Sequence, residues 1–154
     1  MGIDITPAGT TGGKGPRGGP VYRAGMRVAR WVHRRQKDRA MGFDLLYLTT
    51  VGARSGERRT VPLARFDDGE GGWLVVGSMG GSAKHPAWYH NMAAHPDTIW
   101  VEFGNEQHRV TAESLRGEER EARFAEIAAA HGRYADYQAK TDRQIPVVRL
   151  TPVN

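Results

Sequence analysis

The chain has 154 residues, 39% of them hydrophobic, and a formal net charge of +5 at pH 7. That length predicts one domain able to bury roughly two-thirds of its unfolded surface. There is no cysteine, which excludes disulfides, thiolate catalysis and cysteine-held metal or iron–sulfur sites. No apolar run approaches the ~20 residues of a membrane span, and the polar start does not resemble a signal peptide. A cytosolic protein is therefore expected. The positive charge favours acidic partners: nucleic acid, anionic lipid or a polyanionic small molecule.

Residues 1–19 are glycine-rich, with Asp4, Lys14 and Arg17 scattered without period. They read as a disordered tail ahead of a single domain over 20–154. Residues 20–37 predict an amphipathic helix. At ~100° per residue, Arg23, Arg27, Arg30, Arg34 and Lys37 form one stripe, roughly opposite Val21, Ala24, Val28, Trp31 and Val32. Such a helix packs on the domain, lids a site or lies on an anionic membrane. From Leu45 the pattern changes to short strands between turns, over Leu45–Thr50, Thr60–Phe66, Gly72–Ser78, Thr98–Phe103, Gln107–Ser114 and Pro146–Leu150. Asp67-Asp68-Gly69-Glu70-Gly71 and Gly104-Asn105 are hairpin connections. Helices are predicted near Pro86–Ala94 and over Glu118–Ala130. In the latter, Phe124, Ile127 and Ala128 turn to the core, and Glu118, Glu119, Arg120 and Arg123 lie in solvated first turns. The fold class is α+β and mostly β: a barrel of about six mainly antiparallel strands, its openings covered by helices.

Three segments carry chemistry. In Gly77–Asn91 a strand feeds a glycine turn and the turn feeds a helix. Gly80 and Gly81 allow positive φ and close backbone approach. Pro86 suits a helix start. Free N–H groups there, with Lys84 beside them, make an anion site, and Trp88 and Tyr89 add aromatic walls. The second segment is Gly52–Leu63, where Arg54, Arg58 and Arg59 could grip carboxylate or phosphate. The third is His131–Gln138 with Thr141-Asp142-Arg143. Tyr134 and Tyr137 share a face if helical, and could stack on a ring, donate a proton or simply close the core. His85, His90 and His95 recur every five residues, ~140° apart around a helix. They cannot face one ion, so no metal site is predicted. No nucleophile elbow supports a hydrolase.

Taken in order, these segments resemble the deazaflavin-dependent nitroreductase family of actinobacteria, also described as quinone reductases using coenzyme F420. The residues that carry the resemblance run from Leu48-Thr49-Thr50-Val51-Gly52-Ala53-Arg54-Ser55-Gly56 through Arg59 and Pro62-Leu63. They continue through Gly80-Gly81, Lys84, Pro86-Ala87-Trp88-Tyr89, Asn91 and His95-Pro96 to Tyr134-Ala135-Asp136-Tyr137-Gln138, Thr141-Asp142-Arg143 and Ile145-Pro146. Trp31 with Arg34-Arg35 resembles the family's N-terminal helix.

The resemblance implies a split β-barrel and hydride transfer from reduced F420 to a quinone-like, nitro or other conjugated acceptor. By it, Arg54, Ser55 and Arg59 hold the acidic tail of the coenzyme. Ser78, Met79, Gly80, Gly81 and Lys84 surround its phosphate, and Pro62, Leu63, Trp88 and Asn91 line the ring or its neighbourhood. Trp31, Tyr134 and Tyr137 face the substrate, with Tyr134 the proton-donor candidate. Met79 stands where some relatives carry lysine. His131 replaces a tyrosine of the drug-activating member, which argues against nitroimidazole activation. Two readings compete: an FMN-binding split barrel, and a non-catalytic basic module for membrane or nucleic acid. Aromatics clustered beside the glycine turn, not along a basic groove, argue against nucleic acid. Peripheral contact with the inner face of the membrane through residues 20–37 is compatible with a quinone acceptor.

Overall fold

The structure is a computed structural model and describes residues 2–12, 39–40 and 43–153. The predicted helix over 20–37, with Trp31, lies outside the described residues. Eight strands appear in chain order: β1 (Arg39–Ala40), β2 (Phe43–Val51), β3 (Arg58–Ala64), β4 (Phe66–Asp67), β5 (Trp73–Val76), β6 (Trp100–Phe103), β7 (Glu106–Ser114) and β8 (Val147–Pro152). Three α-helices, α1 (Ala87–Ala94), α2 (Gly117–Ala130) and α3 (Arg133–Lys140), and a 3₁₀ turn at Met79–Gly81 complete the described residues.

Among the described residues every strand pairing is antiparallel. β2 is flanked by β3 and β6, β6 by β7, β7 by β8 and β8 by β5. After Arg65, β3 gives way to β4, which pairs with β5 and closes the circuit. This is the expected split barrel. β3 is bonded to β2 and β4 to β5, so the circuit is closed by the chain running through Arg65 from one ladder to the other. β2 carries the sequence Phe-Asp-Leu-Leu-Tyr-Leu-Thr-Thr-Val and is buried along most of its length, as a strand bonded on both sides should be. Its Thr49 hydroxyl pairs across the ladder with Thr60 at 2.8 Å, a favourable cross-strand contact. At the β6–β7 hairpin both Gly104 and Asn105 have positive φ, 59° and 63°. That backbone matches the right-handed twist of the strands it joins.

Two clusters form the interior. One fills the barrel with Leu46, Leu48, Val75, Val101, Val148 and Leu150 and seals it with Trp88, Tyr89 and Met92 of α1. The other lies where α2 and α3 cover the sheet, around Phe43, Leu74, Leu115, Phe124, Ile127, Tyr134 and Ile145.

The predicted solvation of Arg120 is corrected: its residue is only 4% exposed. The guanidinium lies over the Phe124 ring at 4.4 Å and donates to the Ile145 carbonyl and, at 3.1 Å, to Gln138. A buried arginine persists here because several donors find acceptors at once.

Residues 2–12, read from sequence as part of a disordered tail, are seated on the domain. Asp4 N–H donates to Ser114 Oγ at 3.0 Å, and Tyr89 Oη donates to the Asp4 carbonyl at 2.6 Å. Gly9 N–H donates to the Ala83 carbonyl at 2.8 Å. Thr10 and Thr11 donate to Asp142, and these bonds hold its carboxyl well below the usual range. Glycine is demanded at Gly12, where a Cβ would meet Ala83 N and Gly81 O at 2.5 Å.

Candidate functional site

The Gly77–Asn91 segment forms the predicted turn and helix. Ser78 is right-handed (φ −71°, ψ −40°), and Met79, Gly80 and Gly81 follow at φ 44°, 63° and 82°. A right-handed residue followed by left-handed ones is the dihedral order of a backbone nest, whose N–H groups converge on an anion; here Gly81 and Ser82 N–H already donate to the Ser78 and Met79 carbonyls at 2.9 and 3.1 Å, which leaves the Met79 and Gly80 N–H groups for a ligand. Met79 adopts positive φ without being glycine, a conformation that costs free energy and recurs at ligand sites. The two glycines do different work. At Gly80 a Cβ would meet nothing within 4 Å, so this residue faces open space. At Gly81 a Cβ would meet the Tyr137 carbonyl at 2.8 Å and Lys140 Cβ at 3.1 Å. Gly81 therefore lets α3 press against the turn. Lys84 is exposed just beyond, and Pro86 caps α1 at its N-terminus.

The second segment is the β2–β3 turn. Gly52 N–H donates to Glu57 O at 2.7 Å, and Gly56 N–H to Gly52 O at 3.0 Å. Arg54, Ser55 and Arg59 are all exposed. Ser55 Oγ accepts from Glu57 N–H at 3.1 Å, and Arg59 pairs with Glu57 at 2.9 Å. Arg58 lies over the Trp100 ring at 4.4 Å, so it is the arginine of this turn least available to a ligand.

Asn91 joins the two segments. Its Oδ1 accepts from Ala53 N–H at 2.9 Å, and its Nδ2 donates to Thr50 Oγ1 at 3.1 Å. Only 6% exposed, it ties the Arg54–Ser55 turn to the helix that begins beyond the glycine turn. Trp88, assigned from sequence to the ring surroundings, is also 6% exposed and part of the barrel core. Pro62 and Leu63 are half-buried on β3, opposite Tyr47 and Leu46.

Tyr134 and Tyr137 do lie on one helix, α3. Tyr134 is 6% exposed, with its ring edge-on to Phe43, Phe66 and Tyr137 at 6.1, 5.8 and 5.8 Å. His131 stacks on Phe43 at 4.4 Å. Burial, reinforced by Tyr137, pushes the Tyr134 phenol up to about 12, because the phenolate is poorly solvated there.

Arg143 lies behind the glycine turn, 2% exposed. Nε donates to Ser82 O at 2.7 Å, and Nη2 to Ser78 O at 2.9 Å. Its Nη1 is 3.3 Å from His85 Nδ1. Sequence reasoning noticed Arg143 only as part of a motif and His85 only as a rejected metal ligand. No local periodicity points to either role.

The family model described as F420H(2)-dependent quinone reductase matches residues 21–152. The chain belongs to that family. It is 38% identical over 109 residues to an F420H(2)-dependent quinone reductase of Mycobacterium tuberculosis, spanning 69% of this chain and 72% of the relative. A solved F420-H2 dependent reductase, FDR-A, is 43% identical with a TM-score of 0.60, over 69% of this chain and 92% of that one. A second solved chain, described as a domain-swapped dimer, is 38% identical with a TM-score of 0.61, over 86% and 99%.

The contrast between the two glycines is measurable. Gly81→Ala should lose about 1–3 kcal/mol in urea unfolding, since the added methyl must displace α3 backbone. Gly80→Asn, which tolerates positive φ, should unfold within about 1 kcal/mol of wild type. Equal stability of the two variants would contradict this packing.

Proposed function

We propose that this chain is an oxidoreductase that binds coenzyme F420 between the Gly52–Glu57 and Ser78–Lys84 turns and passes hydride to a quinone. One observation carries the reading: the arginine-bearing β2–β3 turn is tied to α1, the helix that the glycine turn feeds, by the Asn91 amide, which bonds Ala53 and Thr50, 38 and 41 residues earlier in the chain. The residues fit the coenzyme. The nest N–H groups and Lys84 suit its phosphate. Arg54 and Ser55 suit the carboxylates of its glutamate tail, and Arg59 joins them by exchanging its Glu57 partner. Pro62 and Leu63 offer a half-buried apolar surface to the ring. Asn91 positions the turn and does not itself face the ring.

When bound, the reduced deazaflavin supplies a hydride from C5. Reducing a quinone to a quinol takes that hydride and one proton. Tyr134 is the proposed proton source. Its raised pKa keeps it protonated at neutral pH, and it is reprotonated from solvent. The Phe43 and Phe66 rings pack edge-on against it and give a flat acceptor an apolar wall. A quinone is lipid-soluble, so contact of the basic 20–37 stripe with anionic membrane belongs to the same proposal. Chain truncated before residue 38 should lose flotation with anionic vesicles; undiminished flotation would reject that stripe as the anchor.

Fluorescence titration with coenzyme F420, with FMN in parallel, tests the cofactor. Saturable binding of F420 alone is expected, and binding of FMN alone would overturn the assignment. Tyr134→Phe should lower turnover of a soluble quinone by about 100-fold, the lower range of general acid catalysis, with little change in F420 affinity. Unchanged turnover would remove Tyr134 from the chemistry.

A further inference from the structure

Arg143 makes contacts that a merely space-filling residue would not need. Its guanidinium is planar and donates in fixed directions. Two of those directions end on the carbonyls of Ser78 and Ser82, at the two ends of the glycine turn. In a trans peptide unit, carbonyl and N–H point opposite ways. The Ser78 carbonyl shares its peptide unit with the Met79 N–H. Drawing that carbonyl inward to Arg143 turns the Met79 N–H outward, into the nest.

The third direction meets His85, which is 5% exposed. His85 Nε2 lies 2.7 Å from the Thr6 carbonyl, which can only accept. Nε2 therefore carries the ring proton, and Nδ1 is left as an acceptor for Arg143 Nη1. The chain of contacts runs from the N-terminal segment through His85 and Arg143 to the turn. Tyr89 and His90 also pack on the His85 ring, at 4.9 and 5.9 Å.

We propose that Arg143 is a positioning residue that aims the Met79 and Gly80 N–H groups of the Ser78–Ser82 turn at the phosphate of the cofactor, and that neutral His85 holds Arg143 in place from the N-terminal segment. The proposal rests on the cofactor reading above for its ligand. A second proton on His85 would put N–H against N–H and cation against cation at the Arg143 contact. Burial first, and then the Arg143 and His90 charges, lower His85 from its ordinary value of 6.5, against hydrogen bonds from the N-terminal segment that raise it. The arrangement is therefore complete above pH 6.5 and is lost as pH falls through the lower folded value.

The test compares wild type, Arg143→Lys and His85→Gln by F420 fluorescence titration between pH 8 and pH 5. A lysine cannot hold both carbonyls, so Arg143→Lys should weaken F420 about tenfold at pH 7.5. Wild type should lose affinity at the acid end. His85→Gln, which can still accept from Arg143 and donate to Thr6, should bind at pH 7.5 without that acid loss. Equal affinity of Arg143→Lys and wild type, or an identical acid step in His85→Gln, would overturn the proposal. Inorganic phosphate followed by amide NMR at pH 7.5 separates the two readings. If wild type ignores F420, yet phosphate shifts its Met79 and Gly80 amides and not those of Arg143→Lys, the cofactor assignment fails and the positioning role stands. If phosphate shifts neither protein, or both equally, the positioning role fails. Should Arg143→Lys not fold, the His85→Gln pH profile alone decides.

Discussion

The Asn91 carboxamide is the interaction on which the site depends. It is buried, and its polar ends are satisfied by Thr50 at the end of β2 and Ala53 in the β2–β3 turn. A buried amide left with one partner missing costs more than the hydrogen bond itself, so the turn and α1 are held in one relation. The exposed Arg54 and Lys84 are thereby kept on elements that do not move independently. Positioning charges in this way reduces what must be ordered when an acidic ligand arrives.

Barrel closure supplies the frame for that contact. β2 is hydrogen-bonded on both sides, and its inner leucines are sealed by Trp88 and Met92 of α1. The helix is fixed by core packing before any ligand binds. The turn that feeds it can then hold strained dihedrals at Met79, because its ends are anchored: Arg143 bonds both end carbonyls and α3 abuts Gly81. Strain of this kind persists only where the surroundings over-determine it.

Burial also changes what the tyrosines can do. Tyr134 sits in an apolar wall, where its phenol is hard to ionise. Such a group stays protonated at neutral pH. Tyr137, half-buried beside it, packs edge-on to its ring and sets its own backbone against Gly81 of the glycine turn.

Much of this was legible in the sequence. Alternating apolar residues and glycine or asparagine turns located all six principal strands, and the Gly104-Asn105 hairpin followed from the φ its residues tolerate. The ordered segments around Arg54, Gly80 and Tyr134 sufficed for the family resemblance. These are local properties, set by periodicity and backbone sterics within a few residues. Tertiary structure decided the rest: that Asn91 ties α1 to the β2–β3 turn, that Trp88 is core, that Arg120 is buried over Phe124, and that residues 2–12 lie on the domain. It also separated Gly80, which faces open space, from Gly81, which faces α3. Each depends on partners far along the chain, such as the 65 residues between Arg143 and Ser78. Such a partner becomes a neighbour only when the barrel closes, and no local pattern encodes which side chain it will meet.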